Sequence, residues 1–133
     1  MKSIIKFLSV VIFPIFIFSA CQKNNSVKAD PSKVTITVLS PDSTHLYHKG
    51  DTISISANVT YISELHGYSL EIIDSMNNTL YSSDIDIHQD HFSIAEKWVD
   101  TFSTAKKLTL YLHAEIDHNG NEATKTVTIL TAP

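Results

Sequence analysis

The feature that most constrains this 133-residue chain is an alternation near its C-terminus. Leu108, Leu110, Leu112, Ala114 and Ile116 interleave with Thr109, Tyr111, His113, Glu115 and Asp117. A period of two marks a strand with one buried face, because successive side chains point to opposite sides of a pleated backbone. Asn119-Gly120 follows, and both residues tolerate the positive φ that a two-residue type I′ turn requires. Residues 106–130 are therefore expected to form a β-hairpin. Pairing His118 with Asn121 sets Ile116 against Ala123, Leu112 against Val127 and Leu110 against Ile129, so apolar faces apolar. In that register Lys125 falls opposite Ala114 and must snorkel or sit at a bulge.

Upstream the same pattern repeats. Val34, Ile36 and Val38 alternate with Thr35, Thr37 and Leu39 before the turn-forming Ser40-Pro41-Asp42-Ser43. Lys49-Gly50-Asp51 makes the next turn, and Ile53, Ile55, Ala57, Val59 and Tyr61 give a clean inward face. Tyr68, Leu70 and Ile72 mark a third strand, and residues 74–78 turn into Leu80 and Tyr81, with Ile85 and Ile87 continuing. Phe92, Ile94 and Trp98 mark a later strand, in which Glu96 occupies a core-parity position that the pattern does not explain. About seven short strands, spaced roughly every ten to fifteen residues and without a helical segment among them, predict an all-β fold, an antiparallel β-sandwich.

The chain opens with two lysines in its first six residues, then an apolar run over residues 7–18 interrupted by Pro14, then Ser19-Ala20-Cys21. Twelve helical residues rise about 18 Å, well short of a hydrocarbon core of about 30 Å, so the run reads as a secretory leader and not as a span. Phe18-Ser19-Ala20-Cys21 resembles a bacterial lipobox, with Phe where Leu is usual. The resemblance implies diacylation of the Cys21 sulfur, cleavage before it, and acylation of the new amine. The membrane would then be a partner through an N-terminal lipid. Ordinary signal-peptidase cleavage after Ala20 is the alternative. Cys21 is the sole cysteine, so no internal disulfide is available and the domain must be held by its core.

Polar residues 22–32, which include Pro31, read as a flexible tether. The expected division is a leader at 1–20, a lipidated cysteine and tether at 21–32, and one domain at 33–133. No acidic run follows Cys21, unlike lipoproteins of Bacteroidota that reach the outer surface, which favours a periplasm-facing protein. The expected location is the bacterial cell envelope, lipid-anchored at the outer membrane.

The closing segment, residues 114–124 with Asp117, Asn119-Gly120-Asn121 and Thr124, resembles the last hairpin of bacterial immunoglobulin-like domains. The chain as a whole is thus similar to a Bacteroidota-type lipoprotein carrying a single immunoglobulin-like β-sandwich of about seven strands. That resemblance implies a fold and a membrane anchor, but no activity.

Without residues 1–20 the chain carries eight lysines, no arginine and fourteen carboxylates, a formal charge of −6. Such a surface has no electrostatic footprint for nucleic acid. No serine sits in a G-x-S-x-G elbow, and three glycines leave no phosphate-cradling loop, so the protein is expected not to be an enzyme. Tyr61, Tyr68 and Trp98 could form a sugar platform, but their parity makes them packing residues first.

Seven histidines are the unusual feature. Immunoglobulin strand order would gather His66, His88, His91 and His118 on one rim near Glu64, Asp86, Asp90 and Asp117, with His113 and Asp90 as accessory groups. It would place His45 and His48 at the opposite end. Neutral imidazole suits zinc, copper or nickel, and a neighbouring carboxylate orients the ring. His88-x-x-His91 is then half of a candidate site; exposed histidines that bind nothing are the alternative. Asp117-x-Asn119-x-Asn121 resembles the opening of a calcium loop, but Glu122 and Thr128 stand where glycine and a bidentate Glu belong, and a hairpin turn explains the residues.

Two functions are consistent with these residues. The first is a non-enzymatic, envelope-anchored binding module whose partner is another envelope protein or a glycan. The second is a periplasmic or surface protein that binds a transition metal, Zn or Cu, through the histidine rim.

Overall fold

A computed structural model of the chain describes residues 28–133, which contain strands and one short 3-10 turn at Pro31–Lys33. The strands are β1 (Thr35–Ser40), β2 (Leu46–His48), β3 (Thr52–Ile73), β4 (Thr79–Val99), β5 (Lys106–Glu115) and β6 (Glu122–Ala132). The leader, Cys21 and residues 22–27 lie outside the described residues. All pairings are antiparallel except β2 with β6.

Two strands are far longer than the sequence pattern suggests, at 22 and 21 residues. The first part of β3 pairs with β1 and with the second part of β4, while its last part pairs with β5 and the first part of β4. Both strands must therefore double back. Tyr81 and Glu96 lie fifteen residues apart on β4, which would separate them by about 50 Å in a straight strand. Their side chains are instead 3.0 Å apart, Tyr81 Oη donating to Glu96 Oε2. Tyr68, on the far part of β3, donates to Glu96 Oε1 across 3.1 Å. The sheet thus folds over into two layers. One holds β1 and the near half of β3 with the far half of β4; the other runs through the remaining halves to β5, β6 and β2.

The inward faces meet in one core. Ile53, Ile55, Ala57 and Val59 from the first layer and Leu70, Ile72, Leu108, Leu110, Leu112 and Ile129 from the second are buried. Alternation put each of them there, as a period of two requires. Among the described residues, those packed in this core begin at Ala29. Ala29 packs on the core, the Asp30 amide donates to Tyr61 Oη at 3.0 Å, and Asp30 Oδ1 caps the 3-10 turn by accepting from the Ser32 amide.

Three expectations change. The sequence predicts residues 53–61 and 68–72 as separate strands, but β3 runs through residues 62–67, where Leu65 is buried in the core and pairing with β4 is irregular, so the chain bends without a turn. The last hairpin is shifted by two residues, with Leu110 opposite Val127 and Leu112 opposite Lys125. The cause is Asp117, whose Oδ1 accepts from the amides of Asn119 (2.9 Å) and Asn121 (3.2 Å) and whose Oδ2 accepts from Asn121 Nδ2 (2.8 Å). Ile116 then donates to the Asn121 carbonyl, closing a turn longer than two residues with Gly120 at φ 83. A shift of two preserves facing, so the buried set is unchanged. Lys125 is exposed because β6 has no outer neighbour there; β2 pairs only with Leu130, Thr131 and Ala132. Finally, Glu96 faces inward to accept hydrogen bonds from Tyr68, Tyr81 and Ser83, closing the side of the sandwich where both halves of β4 are edge segments.

Candidate metal centre

The corner at which β3 and β4 pass between layers carries most of the chemistry. Pairing of β3 with β4 is irregular from Thr60 to Gly67, and regular pairing resumes with Gly67 against Asp86 and Glu115. Glycine at that point is a steric necessity. It holds φ +148, and a Cβ there would stand 2.3 Å from the Ile85 carbonyl oxygen. Only a residue without a side chain lets the two backbones approach this closely. The approach sets His66, one residue before the glycine, beside His88 on β4.

The third imidazole arrives from the turn between β5 and β6. The Asp117 carboxylate that organises this turn is held below the usual carboxylate range, chiefly by the Asn121 side-chain amide, so it stays ionised and fixes the loop bearing His118. His66 Nδ1 and His118 Nε2 are 3.1 Å apart, one ring donating and the other accepting. Ring centroids of His66 lie 4.7 Å from His88 and 4.5 Å from His118, and those of His88 and His118 are 6.2 Å apart. One nitrogen from each ring falls within 4.8 Å of the others. A tetrahedral ion with metal–nitrogen bonds of about 2.0–2.1 Å spaces its ligands about 3.3 Å apart. One pair already has that spacing, and the other contacts need only side-chain rotation, for which the exposed His88 and His118 have room.

Carboxylates bracket the His88 ring. Its Nδ1 is 3.2 Å from Glu64 Oε1 and its Nε2 is 3.0 Å from Asp86 Oδ1. Beside the rings lies a cleft of about 420 Å³ lined by Lys28, Tyr61, Ser63, Glu64, His66 and Asp117, among others.

The remaining candidates sit elsewhere. His91 is paired across β3 with Thr60, before the corner, and its exposed ring is held by Asp90. A separation of three residues puts two side chains on opposite faces of a strand, so His88 and His91 do not converge; a helix would have brought them together. His113 stands on the outer face of β5, where Glu122 Oε1 approaches its Nδ1 at 2.9 Å and Thr124 Oγ1 at 3.0 Å. His45 packs edge-on against Tyr47, and His48 Nδ1 is 3.9 Å from Asp51. The role of Gly67 was not drawn from the sequence. Its only signal was a lone glycine between two alternating runs, with no second turn-forming residue beside it.

No protein-family model matches the chain, and no curated protein matches it. Solved structures do. The sporulation control protein Spo0M from Bacillus subtilis superposes at a TM-score of 0.53 and 9% identity, over 76% of this chain and 49% of that one. The chain therefore spans about half the length of Spo0M, and the likeness concerns fold alone. The CARDB domain of a Pyrococcus furiosus protein, solved in complex with di-metal ions, matches at a TM-score of 0.43 and 11% identity, over 72% of this chain and 86% of that one. The described residues form an all-β, mostly antiparallel domain whose fold is distantly similar to that of Spo0M.

Proposed function

We propose that this chain is a lipoprotein of the bacterial envelope whose immunoglobulin-like domain is a non-enzymatic binding module, and that its ligand is a transition-metal ion. His66, His88 and His118 hold the ion. The observation that carries this reading is the convergence of three imidazoles from three separate segments, with ligand atoms within 4.8 Å of one another. Neutral imidazole nitrogen is a donor for Zn²⁺ and Cu²⁺ and a poor one for Ca²⁺ or Mg²⁺. The lipobox-like Phe18-Ser19-Ala20-Cys21 supports the anchor and the outer-membrane location. Several acyl chains on Cys21 exceed the two signals that stable anchoring requires.

The test is calorimetric titration of the chain from Gln22 onward with Zn²⁺ and Cu²⁺. One ion per chain should bind in the micromolar range or tighter, and His66→Ala and His88→Ala should each abolish binding while His91→Ala leaves it unchanged. Absence of binding, or binding indifferent to His66 and His88, would remove the metal from the assignment. The anchor is tested separately: Cys21→Ser should no longer incorporate labelled palmitate in cells.

A further inference from the structure

We propose that Asp86 is the fourth ligand of the metal and that Glu64 is a positioning residue behind the His88 ring, making a closed His₃Asp centre for a divalent ion. This rests on the metal reading above and adds to it the coordination number and the charge of the ion.

The argument starts from the bracketing of His88. Its ring has a carboxylate oxygen at each nitrogen, 3.0 Å at Nε2 and 3.2 Å at Nδ1. Only the contact at Nδ1, with Glu64, is a hydrogen bond; Asp86 meets Nε2 as an ion-pair contact. Nδ1 is thus engaged by Glu64, which leaves Nε2 to face an ion. Nε2 is therefore the donor. Asp86 Oδ1 already stands at the ligand-to-ligand spacing of a tetrahedral site, about 3.3 Å. Its oxygens are not among the atoms that already lie within 4.8 Å of one another, so the exposed Asp86 side chain turns towards His66 and His118 to become a ligand. Asp86 and His88 also lie two apart on β4, so they share a face and move as a unit.

Nδ1 then faces Glu64, the arrangement in which the far N–H of a metal-bound histidine donates to a carboxylate that fixes its tautomer. Charge completes the argument. Three neutral imidazoles contribute none, and the carboxylates of Asp86 and Glu64, with Asp117 behind His118, favour a divalent over a monovalent ion. A monovalent ion would leave a net negative charge at the corner. With four protein donors the centre has no position open to substrate, which fits retention of the ion and not turnover.

Cobalt reports the coordination number directly, since four-coordinate Co²⁺ has intense visible bands and five- or six-coordinate Co²⁺ weak ones. The chain from Gln22 onward is loaded with Co²⁺, and Zn²⁺ affinity is measured by competition, for the native sequence, Asp86→Asn and Glu64→Gln. The Asp86 side chain is 73% exposed, so its replacement leaves the core untouched. The native protein should give the intense spectrum. Asp86→Asn should shift the bands, because water takes the vacated position, and weaken Zn²⁺ by roughly 100-fold or more, while Glu64→Gln leaves the bands in place and weakens Zn²⁺ by about 10-fold. If the native chain binds neither ion, the metal reading itself fails. If it binds and Asp86→Asn retains both spectrum and affinity, or if Glu64→Gln is the variant that shifts the bands, the Asp86 assignment alone is overturned.

Discussion

Replacing Gly67 with alanine tests whether the corner and the metal centre are one object. The new Cβ would lie 2.3 Å from the Ile85 carbonyl oxygen, 3.2 Å from the carbonyl carbon and 3.3 Å from Asp86 Cα. All three atoms are backbone, so no side chain can swing aside. Carbon–oxygen contacts settle near 3.3 Å, so β4 must retreat by about 1 Å or Gly67 must leave φ +148. Overpacking of this kind costs about 1–3 kcal/mol, and a strained backbone about 1–3 kcal/mol more. A total of roughly 2–6 kcal/mol corresponds to a fall in Tm of roughly 10–30 °C for a domain of this size. The retreat also carries Asp86 and His88 away from Glu64 and His66. Metal–ligand distances tolerate only about 0.2 Å, so Zn²⁺ affinity should fall at least tenfold. Gly50→Ala is the control: it sits at φ +95 with nothing within 4 Å of an added Cβ, so it reports backbone strain without the clash. Thermal unfolding by circular dichroism and calorimetric Zn²⁺ titration, each on both variants, make the comparison. If Gly67→Ala melts within a few degrees of Gly50→Ala and binds zinc as the native chain does, the corner does not set the site.

Two further expectations concern the inward carboxylate. Glu96→Ala leaves the hydroxyls of Tyr68, Tyr81 and Ser83 without their acceptor, and with Tyr68 only 6% exposed the loss should be about 2–4 kcal/mol. Urea unfolding followed by fluorescence of Trp98, the single tryptophan, measures it, and a loss below about 0.5 kcal/mol would show the cluster to be solvated. Alkaline pH addresses the same cluster. Burial first, and then Glu96, push the Tyr68 hydroxyl from its ordinary 10 up to about 12. The folded state holds this proton more tightly than the unfolded one, so the stability it contributes is complete below pH 10 and is lost as pH rises through about 12. The urea midpoint should fall across that interval, and a midpoint flat from pH 10 to 12 would contradict it.

Much of this was legible in the residues. Alternation named nearly every buried side chain, because a strand with one wet face has to alternate. The length of β3 and β4 was not legible, because a bend between layers leaves no turn signature; the stretch from Ile62 to His66 looks like a loop and pairs like a strand. The hairpin register was missed because Asn119-Gly120 is a strong two-residue turn signal, and the competing claim of Asp117 on two amides depends on side-chain geometry. Fold order brought His66, His88 and His118 to one place. The same order put His91 in that set, and the strand's own alternation, applied to positions 88 and 91, was the argument against it.

The passage of β3 and β4 from one layer to the other has a thermodynamic consequence. Each layer borrows its central backbone hydrogen bonds from strands whose other halves are committed across the core. Opening either layer strips partners from both, so the domain has no natural line of partial melting. Its amides should exchange in a single protected class, released together at the free energy of global unfolding.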